Sequence, residues 1–247
     1  MNDKITKSKI SLSAIMPVYN EELLVAKAID ITYNSLNTVC EKFELIIVND
    51  CSTDKSAEII EKIIKEYESI KLIHHKKNLG IGGAFKTGVE NANNDFVILV
   101  PVDNPLEIEE LLSYLDRASV CDIVVGCRIE RVGYTMVAKT ASFVYNRILI
   151  PLLFNIGLED VNWIQLYKRV IFAEKIIEIE NNGIFFLAEI LIKAKHAHLI
   201  IAEVPTKMKK RLHGKPTCFK YSAMFKTFIN MMKLFFDLNS KKMKRTN

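Results

Sequence analysis

Short apolar runs alternate with helical patterns through the first half of the chain. Continuous apolar runs of four to seven residues, typical of strands buried on both faces of a sheet, alternate with helix-like spacings of three and four. The strands are predicted at 12–18, 44–48, 71–75, 96–100 and 122–126, and the helices at 21–40, 54–67, 83–92 and 105–117. This alternation predicts βαβ units, and therefore an α/β fold with a mixed, mostly parallel sheet flanked by helices.

The second half is less regular. Helices are predicted at 138–154, with a break near Pro151, and at 170–179 and 185–196, and extended segments at 162–167 and 199–204. The segment 143–158 is apolar, but its length and its Asn146 and Arg147 argue against a membrane span. No repeat or linker divides the chain. We therefore expect a flexible N-terminus at 1–10, one domain at 11–217, and a C-terminal helix with a basic tail at 218–247.

The C-terminal segment carries apolar side chains at helical spacing. They are Phe225, Phe228, Ile229, Met232, Phe235 and Phe236. Lysines at 226 and 233 interrupt the run, so a spanning helix is not expected. Two alternatives stay open, because such a stripe can pack on the domain or lie in a membrane interface beside the basic tail.

Composition narrows the class of protein. The chain has 247 residues, of which 49% are hydrophobic and 26% charged, and a net charge of +5. The five cysteines show no paired spacing, and no apolar segment follows the polar residues 1–9, so we expect a cytoplasmic protein with reduced thiols. The basic excess is concentrated at 207–215 and in the tail, which favours phosphate or an anionic membrane surface; no recognition motif indicates a nucleic acid.

Polar clusters follow four of the predicted strands. The first two are Pro-Val-Tyr-Asn-Glu-Glu at 17–22 and Asn-Asp-Cys-Ser-Thr-Asp at 49–54. Asn20 is a good cap for the following helix, as are Ser52 and Asp54 for theirs. Capping does not account for Asp50, which we expect to be an exposed carboxylate that accepts hydrogen bonds from a base or a ribose.

The other two clusters are a glycine-rich segment and an acid. Asn-Leu-Gly-Ile-Gly-Gly at 78–83 is predicted to be a turn before a helix, which can cradle phosphate but is weak evidence by itself. It matches neither the dinucleotide fingerprint nor the P-loop. Asp103 ends the apolar strand that contains Val97, at the sheet edge where open α/β folds bind ligands.

Taken together, these clusters resemble the family-two glycosyltransferases of the GT-A fold, and among them the dolichyl- or polyprenyl-phosphate sugar transferases. The resemblance extends from about residue 11 to 215 through Gly-Cys-Arg at 126–128, Asp160, the helix around Glu189, and Glu-Val-Pro at 203–205. It implies a Rossmann-like nucleotide-binding domain and transfer of a sugar from a nucleotide-sugar to a polyprenyl phosphate or another glycan precursor. It also implies inversion at the transferred carbon.

The resemblance assigns roles to individual residues. Asp103, Asp160 and Arg128 would be catalytic, with Asp103 also holding Mg²⁺ or Mn²⁺, and Lys139 and Ser142 would meet the acceptor phosphate. The donor-binding residues would be Pro17, Tyr19, Glu21, Asp50, Ser52, Gly82, Gly83, Arg211 and Lys215. If the acceptor is a phosphate, its oxygen is already ionised and needs no strong base, whereas a hydroxyl acceptor would need one, with Asp160 as first candidate.

Three departures from the family pattern bear on activity. Pro101 stands where the first acid of the metal motif is usual, Asn49 replaces an acid, and Cys51 replaces a glycine. One carboxylate plus phosphates and waters can still hold Mg²⁺, and Asn104 can add an oxygen.

These departures leave alternatives to the transferase. One is a catalytically silent nucleotide-sugar-binding or scaffold protein. A nucleotidyltransferase is disfavoured because the segment after the first strand is acidic. For the transferase we expect at most peripheral membrane contact, at the inner face of the cell membrane.

Overall fold

The computed structural model describes residues 6–208 and 221–243, and within them seven strands form one sheet. The strands are β1 (Leu12–Val18), β2 (Phe43–Asn49), β3 (Ile70–His74), β4 (Phe96–Leu99), β5 (Ile123–Arg128), β6 (Gln165–Lys168) and β7 (Ile201–Thr206). Their order across the sheet is β3-β2-β1-β4-β6-β5-β7. Only β6 runs antiparallel to its neighbours, which confirms the predicted mixed, mostly parallel sheet.

Helices cover both faces of this sheet. They are α1 (Val25–Val39), α2 (Ser56–Ile63), α3 (Gly80–Glu90), α4 (Ile108–Ala118), α5 (Met136–Phe143), α6 (Ile150–Phe154), α7 (Val170–Ala173), α8 (Phe186–His196) and α9 (Tyr221–Met243). Successive strand residues point to opposite faces, so Ile15 packs with α3 and α8 while Ala14 and Met16 pack with α1 and α4. Both faces are buried, which is why the strands read as continuous apolar runs.

Several predicted boundaries are wrong in detail. Helix α1 begins at Val25 instead of residue 21, and a 3₁₀ turn, Ile64–Glu66, ends the second predicted helix. The helix predicted at 170–179 is the four-residue α7. Helix α3 begins at Gly80, so the glycine-rich segment forms its first turn and not a turn before it.

The break predicted near Pro151 is also absent. A π-helical stretch, Val144–Leu149, joins α5 to α6, and Pro151 lies in the first turn of α6. A proline lacks the amide hydrogen and crowds the preceding turn, and the wider π turn accommodates both effects without ending the helix.

The resulting helix, Met136–Phe154, is longer than the sequence pattern suggests. Among the described residues it is the one helix whose length and composition could cross a membrane, with 19 residues and a mean hydropathy of 1.2 in its most apolar window. Only 22% of that window is buried. The argument from length therefore does not apply to this longer helix, whereas the expectation that the segment does not span a membrane stays a prediction. Ile150 and Phe154 pack into the domain core.

Candidate functional site

The predicted site residues converge on one edge of the sheet. Every strand of the sheet except the reversed β6 ends at this edge, and the segment that leads into β6 reaches it from the other direction. This edge carries Tyr19 after β1, Asp50 after β2, Asp103 after β4, and Arg128 at the end of β5. Asp160 lies on the segment before β6. This edge, at the carboxyl ends of the parallel strands, is where open α/β sheets bind their ligands.

The end of β1 is shaped by a proline. Pairing with β4 stops at Ile15, whereas pairing with β2 continues to Val18. Pro17 therefore lies in a part of β1 that is paired on one side only, where a missing amide hydrogen is tolerated. The next residue but one, Tyr19, is 47% exposed, and Glu21 is half-buried. Pro17, Tyr19 and Glu21 thus line the accessible edge, as their predicted contact with the donor requires.

The loops after β1 and β2 are joined by reciprocal hydrogen bonds. The amide of Asn20 donates to Ser52 Oγ at 3.1 Å, and the amide of Thr53 donates to Asn20 Oδ1 at 2.8 Å. The amide of Glu22 donates to Asp54 Oδ2 at 3.1 Å. Asn20 therefore binds the neighbouring loop and does not cap α1 as predicted, and Ser52 ties the loops together.

Asp54 is stabilised in its charged form by the same network. Burial raises its pKa, but hydrogen bonds from the hydroxyl and amide of Ser56 and from the amide of Glu22 outweigh burial, and the pKa lies below its ordinary value. The acid thus serves the loop connection.

Asp50 is not the exposed carboxylate that the sequence predicts. It is only 3% exposed. Its Oδ1 accepts the amide of Leu79 and its Oδ2 the amide of Gly80, each at 2.8 Å. These are the amides at the start of α3, where a negative charge is favoured by the helix dipole. Asp50 therefore caps a helix that begins 30 residues later in the chain.

Gly82 and Gly83 allow a close approach of backbone to backbone. The amide of Gly82 donates to Asn182 O at 2.9 Å, and a Cβ at this position would overlap the carbonyl oxygen of Asn181. A Cβ on Gly83 would lie 2.7 Å from Leu79 Cβ. Both glycines are buried, and they seat α3 against the 181–182 segment, which corrects the prediction of an open phosphate cradle.

Arg128 and Asp160, predicted to act on the substrates, form a buried ion pair. Arg128 Nε and Nη2 donate to the two carboxylate oxygens of Asp160 at 2.6 and 2.9 Å. Arg128 Nη1 donates to the Tyr134 hydroxyl at 2.9 Å, and the guanidinium carbon lies 4.6 Å from the Trp163 ring centroid. Burial lowers the pKa of Arg128, but its hydrogen bonds to Asp160 outweigh this and hold the pKa above its ordinary value.

A second arginine, missed in the sequence, joins this pair. Arg131 Nη2 donates to Asp160 Oδ2 at 3.2 Å, and its Nε donates to Ser142 Oγ at 2.9 Å. Asp160 is 1% exposed, and its oxygens receive three guanidinium bonds, so it is poorly placed to remove a proton. The guanidinium of Arg128 is likewise directed at Asp160. This geometry favours a positioning role for both residues, and their predicted catalytic role stays a prediction.

The predicted acceptor residues lie at the surface of α5. Ser142 is joined to Arg131, and Lys139 is exposed one turn earlier. Two arginines share the single carboxylate of Asp160, so the cluster keeps a net positive charge beside α5. The only sequence signal for Arg131 is its charge three residues after Arg128. The predicted donor-binding residues Arg211 and Lys215 lie outside the described residues.

The fit of a divalent cation depends on Asp103. This carboxylate is half-buried, whereas Asn104 is 2% exposed and is therefore a poorer oxygen donor. Within 6–208 and 221–243 no group of three or more acidic, histidine or cysteine side chains could hold a metal ion. The donor set suits Mg²⁺ or Mn²⁺ bound through one carboxylate plus phosphates and waters, and not a cage made by the protein alone.

Comparisons with known proteins agree on the fold. Glucosyl-3-phosphoglycerate synthase of Mycobacterium tuberculosis, solved with Mn²⁺, UDP and phosphoglyceric acid, superposes with a TM-score of 0.69 at 15% identity, covering 92% of this chain and 78% of that one. TarS of S. aureus, solved with UDP-GlcNAc, gives 0.60 at 17% identity, covering 92% and 65%. These likenesses show the predicted GT-A fold.

Sequence relatives share half or more of the chain. A dolichyl-phosphate beta-glucosyltransferase of Dictyostelium discoideum is 28% identical over 215 residues, 79% of this chain and 65% of its own length. Dolichyl-phosphate beta-glucosyltransferase ALG5A of Trichomonas vaginalis is 31% identical over 134 residues, covering 50% and 42%. Glycosyltransferase AglD of Haloferax volcanii is 26% identical over 208 residues, covering 81% and 33%. The chain thus spans between a third and two thirds of these relatives.

Comparison with a model of a whole family identifies the family of this chain. Residues 13–174 match the family described as glycosyl transferase family 2, and this range contains every described residue of the predicted site. The chain therefore belongs to glycosyl transferase family 2.

Proposed function

We propose that this chain transfers a glucosyl group from UDP-glucose to the phosphate of a polyprenyl phosphate, with a divalent cation. One observation carries the proposal: the same sheet edge of this family 2 chain bears a partly exposed acid, Asp103, and a cluster with a net positive charge, formed by Arg128, Arg131 and Asp160. The relatives named as dolichyl-phosphate glucosyltransferases support the acceptor class, and the fold neighbours solved with UDP support the donor.

The reaction is a single displacement. An oxygen of the acceptor phosphate forms a bond to C1 of the sugar while the bond from C1 to the UDP oxygen breaks, and the electron pair leaves with UDP. Attack from the face opposite the leaving group inverts C1. The acceptor oxygen is already ionised, so no residue has to remove a proton, and orientation and charge stabilisation account for the rate.

The residues divide this work between donor and acceptor. Tyr19 and Glu21 line the nucleoside side, and Asp103 would hold a divalent cation, whose chemistry when bound is to neutralise negative charge on a diphosphate. On the other side, Lys139 and Arg131 supply positive charge for the acceptor phosphate, with the Ser142 hydroxyl beside them. The pair of Arg128 and Asp160 fixes the segment from which Arg131 projects.

A transfer assay tests the proposal. The chain is incubated with radiolabelled UDP-glucose and dolichyl or undecaprenyl phosphate in detergent, with Mg²⁺, Mn²⁺ or EDTA, and label is counted in the organic phase. We expect metal-dependent transfer and a product of inverted anomeric configuration. Binding of UDP-glucose without any turnover would instead support the silent binding protein, for which the loss of the first metal-motif acid is the motivating observation.

Thermal denaturation tests the role of Asp103 in metal binding. Because one carboxylate makes an incomplete site, Mn²⁺ alone should shift the melting temperature little, and Mn²⁺ with UDP should shift it more than the two separate shifts together. Asp103→Asn should remove this extra shift, whereas Asp116→Asn, on the exposed face of α4, should retain it. An extra shift that survives Asp103→Asn contradicts the assignment.

We also propose that this domain rests on a membrane through an apolar face. Helix α9 contacts α6 through Phe154 and Phe235, whose ring centroids are 6.1 Å apart. The apolar face comprises side chains that are between 46% and 78% exposed: Met136, Val137, Phe143, Ile148 and Leu152, with Phe225, Phe228, Ile229 and Phe236 on α9. Exposed Lys139, Lys226 and Lys233 lie on the same helices, which complements an anionic lipid surface.

Vesicle co-sedimentation tests this face. We expect binding to vesicles that contain phosphatidylglycerol and weaker binding to phosphatidylcholine alone, because the basic residues add electrostatic attraction. Phe225→Glu and Leu152→Glu should weaken binding. Val120→Glu is the matched control, because Val120 is 67% exposed, like Phe225, but follows α4 at the opposite edge of the sheet. Equal binding by all three variants contradicts the proposal.

A further inference from the structure

His75 is a buried histidine that the proposed reaction does not use. It follows β3, its side chain is 8% exposed, and its Nδ1 lies 2.7 Å from Asp50 Oδ1. Its Nε2 lies 3.0 Å from Thr87 Oγ1 on α3. The imidazole thus bridges the loop after β2 to α3, at a residue that the sequence pattern predicts to be the last of the strand at 71–75.

The hydrogen-bond roles in this bridge follow from the chemistry of the groups. An ionised carboxylate only accepts, so His75 Nδ1 carries a hydrogen and donates it to Asp50. Thr87 has a hydroxyl that both donates and accepts, so it is a suitable partner for Nε2 in either protonation state of the ring. The contact with Asp50 therefore fixes which nitrogen is protonated, and the contact with Thr87 fixes the ring plane.

The bridge determines which oxygen of Asp50 remains available. Oδ1 accepts two hydrogen bonds, from His75 and from the amide of Leu79. Oδ2 accepts one, from the amide of Gly80. Each carboxylate oxygen has two acceptor positions, so among the described residues the unused position of Asp50 is on Oδ2. Its direction is fixed because two donors hold Oδ1.

We propose that His75 is a positioning residue that orients Asp50 Oδ2 toward an N–H or O–H of the donor nucleoside. This inference rests on the proposed function, in which Asp50 meets the nucleoside of a nucleotide-sugar. Without the His75 donor the carboxylate rotates more freely, and the ordering cost is then met when the nucleotide binds. The effect falls on donor affinity and not on the chemical step, because the nucleoside is remote from the bond that breaks.

Four variants separate positioning from mere packing. His75→Asn places an amide donor near the position of Nδ1 and keeps the contact with Asp50. His75→Gln places its amide near the position of Nε2 and loses that contact. His75→Ala loses both contacts, and Thr87→Val removes only the contact at Nε2.

Steady-state kinetics with UDP-glucose and calorimetric titration with UDP provide the readouts. We expect His75→Gln and His75→Ala to raise the donor KM and the UDP Kd about tenfold, the loss expected for one charge-assisted hydrogen bond, with kcat within about twofold. His75→Asn should stay within about threefold of the wild type, and Thr87→Val should change the Kd least. Thermal denaturation of each variant verifies that it is folded at the assay temperature.

The outcomes distinguish this inference from the proposed function. If the wild type transfers glucose but His75→Asn and His75→Gln have equal KM values, or if Thr87→Val is as impaired as His75→Gln, the inference is overturned. If the wild type binds UDP without transferring glucose, the transfer proposal fails, and the Kd series still decides the role of His75. A wild type that binds no UDP overturns both.

Discussion

Removal of the Asp160 carboxylate should cost far more stability than removal of an exposed acid. The carboxylate receives two hydrogen bonds from Arg128, at 2.6 and 2.9 Å, and a third from Arg131 at 3.2 Å. Hydrogen bonds between charged groups contribute about 1.5–3 kcal/mol each, so the two short bonds alone correspond to roughly 3–6 kcal/mol. Breaking a buried ion pair typically costs about 3–5 kcal/mol, and we expect this range for Asp160→Ala.

Urea denaturation measures this loss with an internal reporter. Trp163 is the only tryptophan, and it stacks on the Arg128 guanidinium, so its fluorescence follows the pair. A cycle of Asp160→Asn, Arg128→Gln and the double variant should show a coupling free energy above about 1 kcal/mol, because the residues are in direct contact. Glu58→Gln is the control: its ion pair with Lys62 is exposed to solvent, so its loss should lower the free energy of unfolding far less than Asp160→Asn does.

The same variants test the catalytic role that the sequence suggests for Asp160. A general base contributes about 10²- to 10⁴-fold to the rate, and its loss need not affect stability. If Asp160→Asn unfolds with a loss below about 1 kcal/mol but reduces kcat by that factor, Asp160 acts on the substrate and the positioning argument is refuted. We expect the reverse, with a large loss of stability, and activity that follows the folded fraction.

Three further predictions concern strain, charge and packing. Cys51 has φ +63°, a backbone region that costs a non-glycine residue about 1–2 kcal/mol. Glycine relieves this strain but loses more backbone entropy on folding, so Cys51→Gly should raise the free energy of unfolding in urea by up to about 1 kcal/mol. Cys51→Ala keeps the strain and should not raise it. Burial, and after it the charge of nearby Glu159, raise the pKa of Glu203, so Glu203→Gln should raise the free energy of unfolding above pH 5 and leave it unchanged below pH 4. Hydrogen bonds outweigh burial at Asp122 and lower its pKa, so Asp122→Asn should lower the free energy of unfolding above pH 4. Urea denaturation across this pH range checks both, and a change of the same sign for the two variants contradicts the prediction. A Cβ on Gly88 would overlap the Ile15 side chain, so Gly88→Ala should cost about 1–3 kcal/mol, and a stabilised variant contradicts the close packing of α3.

The regular part of the fold was accessible from the sequence because its signals are local. The bounds of β1 agree with the apolar run at 12–18, and α4 agrees with the stripe at 105–117 within three residues at its start. Parallel strands buried on both faces produce apolar runs that depend on neither neighbour. The insertion of β6 between β4 and β5 carries no such signal, because it depends on which strands pair and not on the strand's own residues.

The π-helical stretch shows a second limit of sequence reasoning. A proline inside a helical pattern usually ends the helix, and the prediction of a break near Pro151 follows that rule. The wide turn at Val144–Leu149 is held in the structure partly by Asn146, whose amide donates to Ser142 O and whose Oδ1 accepts the amide of Val161. Neither partner could be identified from the periodicity of the segment.

Burial distinguishes the structural acids of the site from the acid that is open to a ligand. It is also the property that the sequence reveals least well. Asp50, Asp103 and Asp160 all follow or precede strands at the same edge, and the family pattern gives all three a role toward substrate. Asp50 and Asp160 are 3% exposed or less, and they receive three and four hydrogen bonds from the protein. These bonds fix α3 in the first case and the arginine cluster in the second. Buried carboxylates with such partners are costly to disturb, so they give the site its shape, and the half-buried Asp103 is left as the acid that a cation can reach. The framework made by these two carboxylates does not include position 101, so under the proposed function we expect Pro101 to leave it intact.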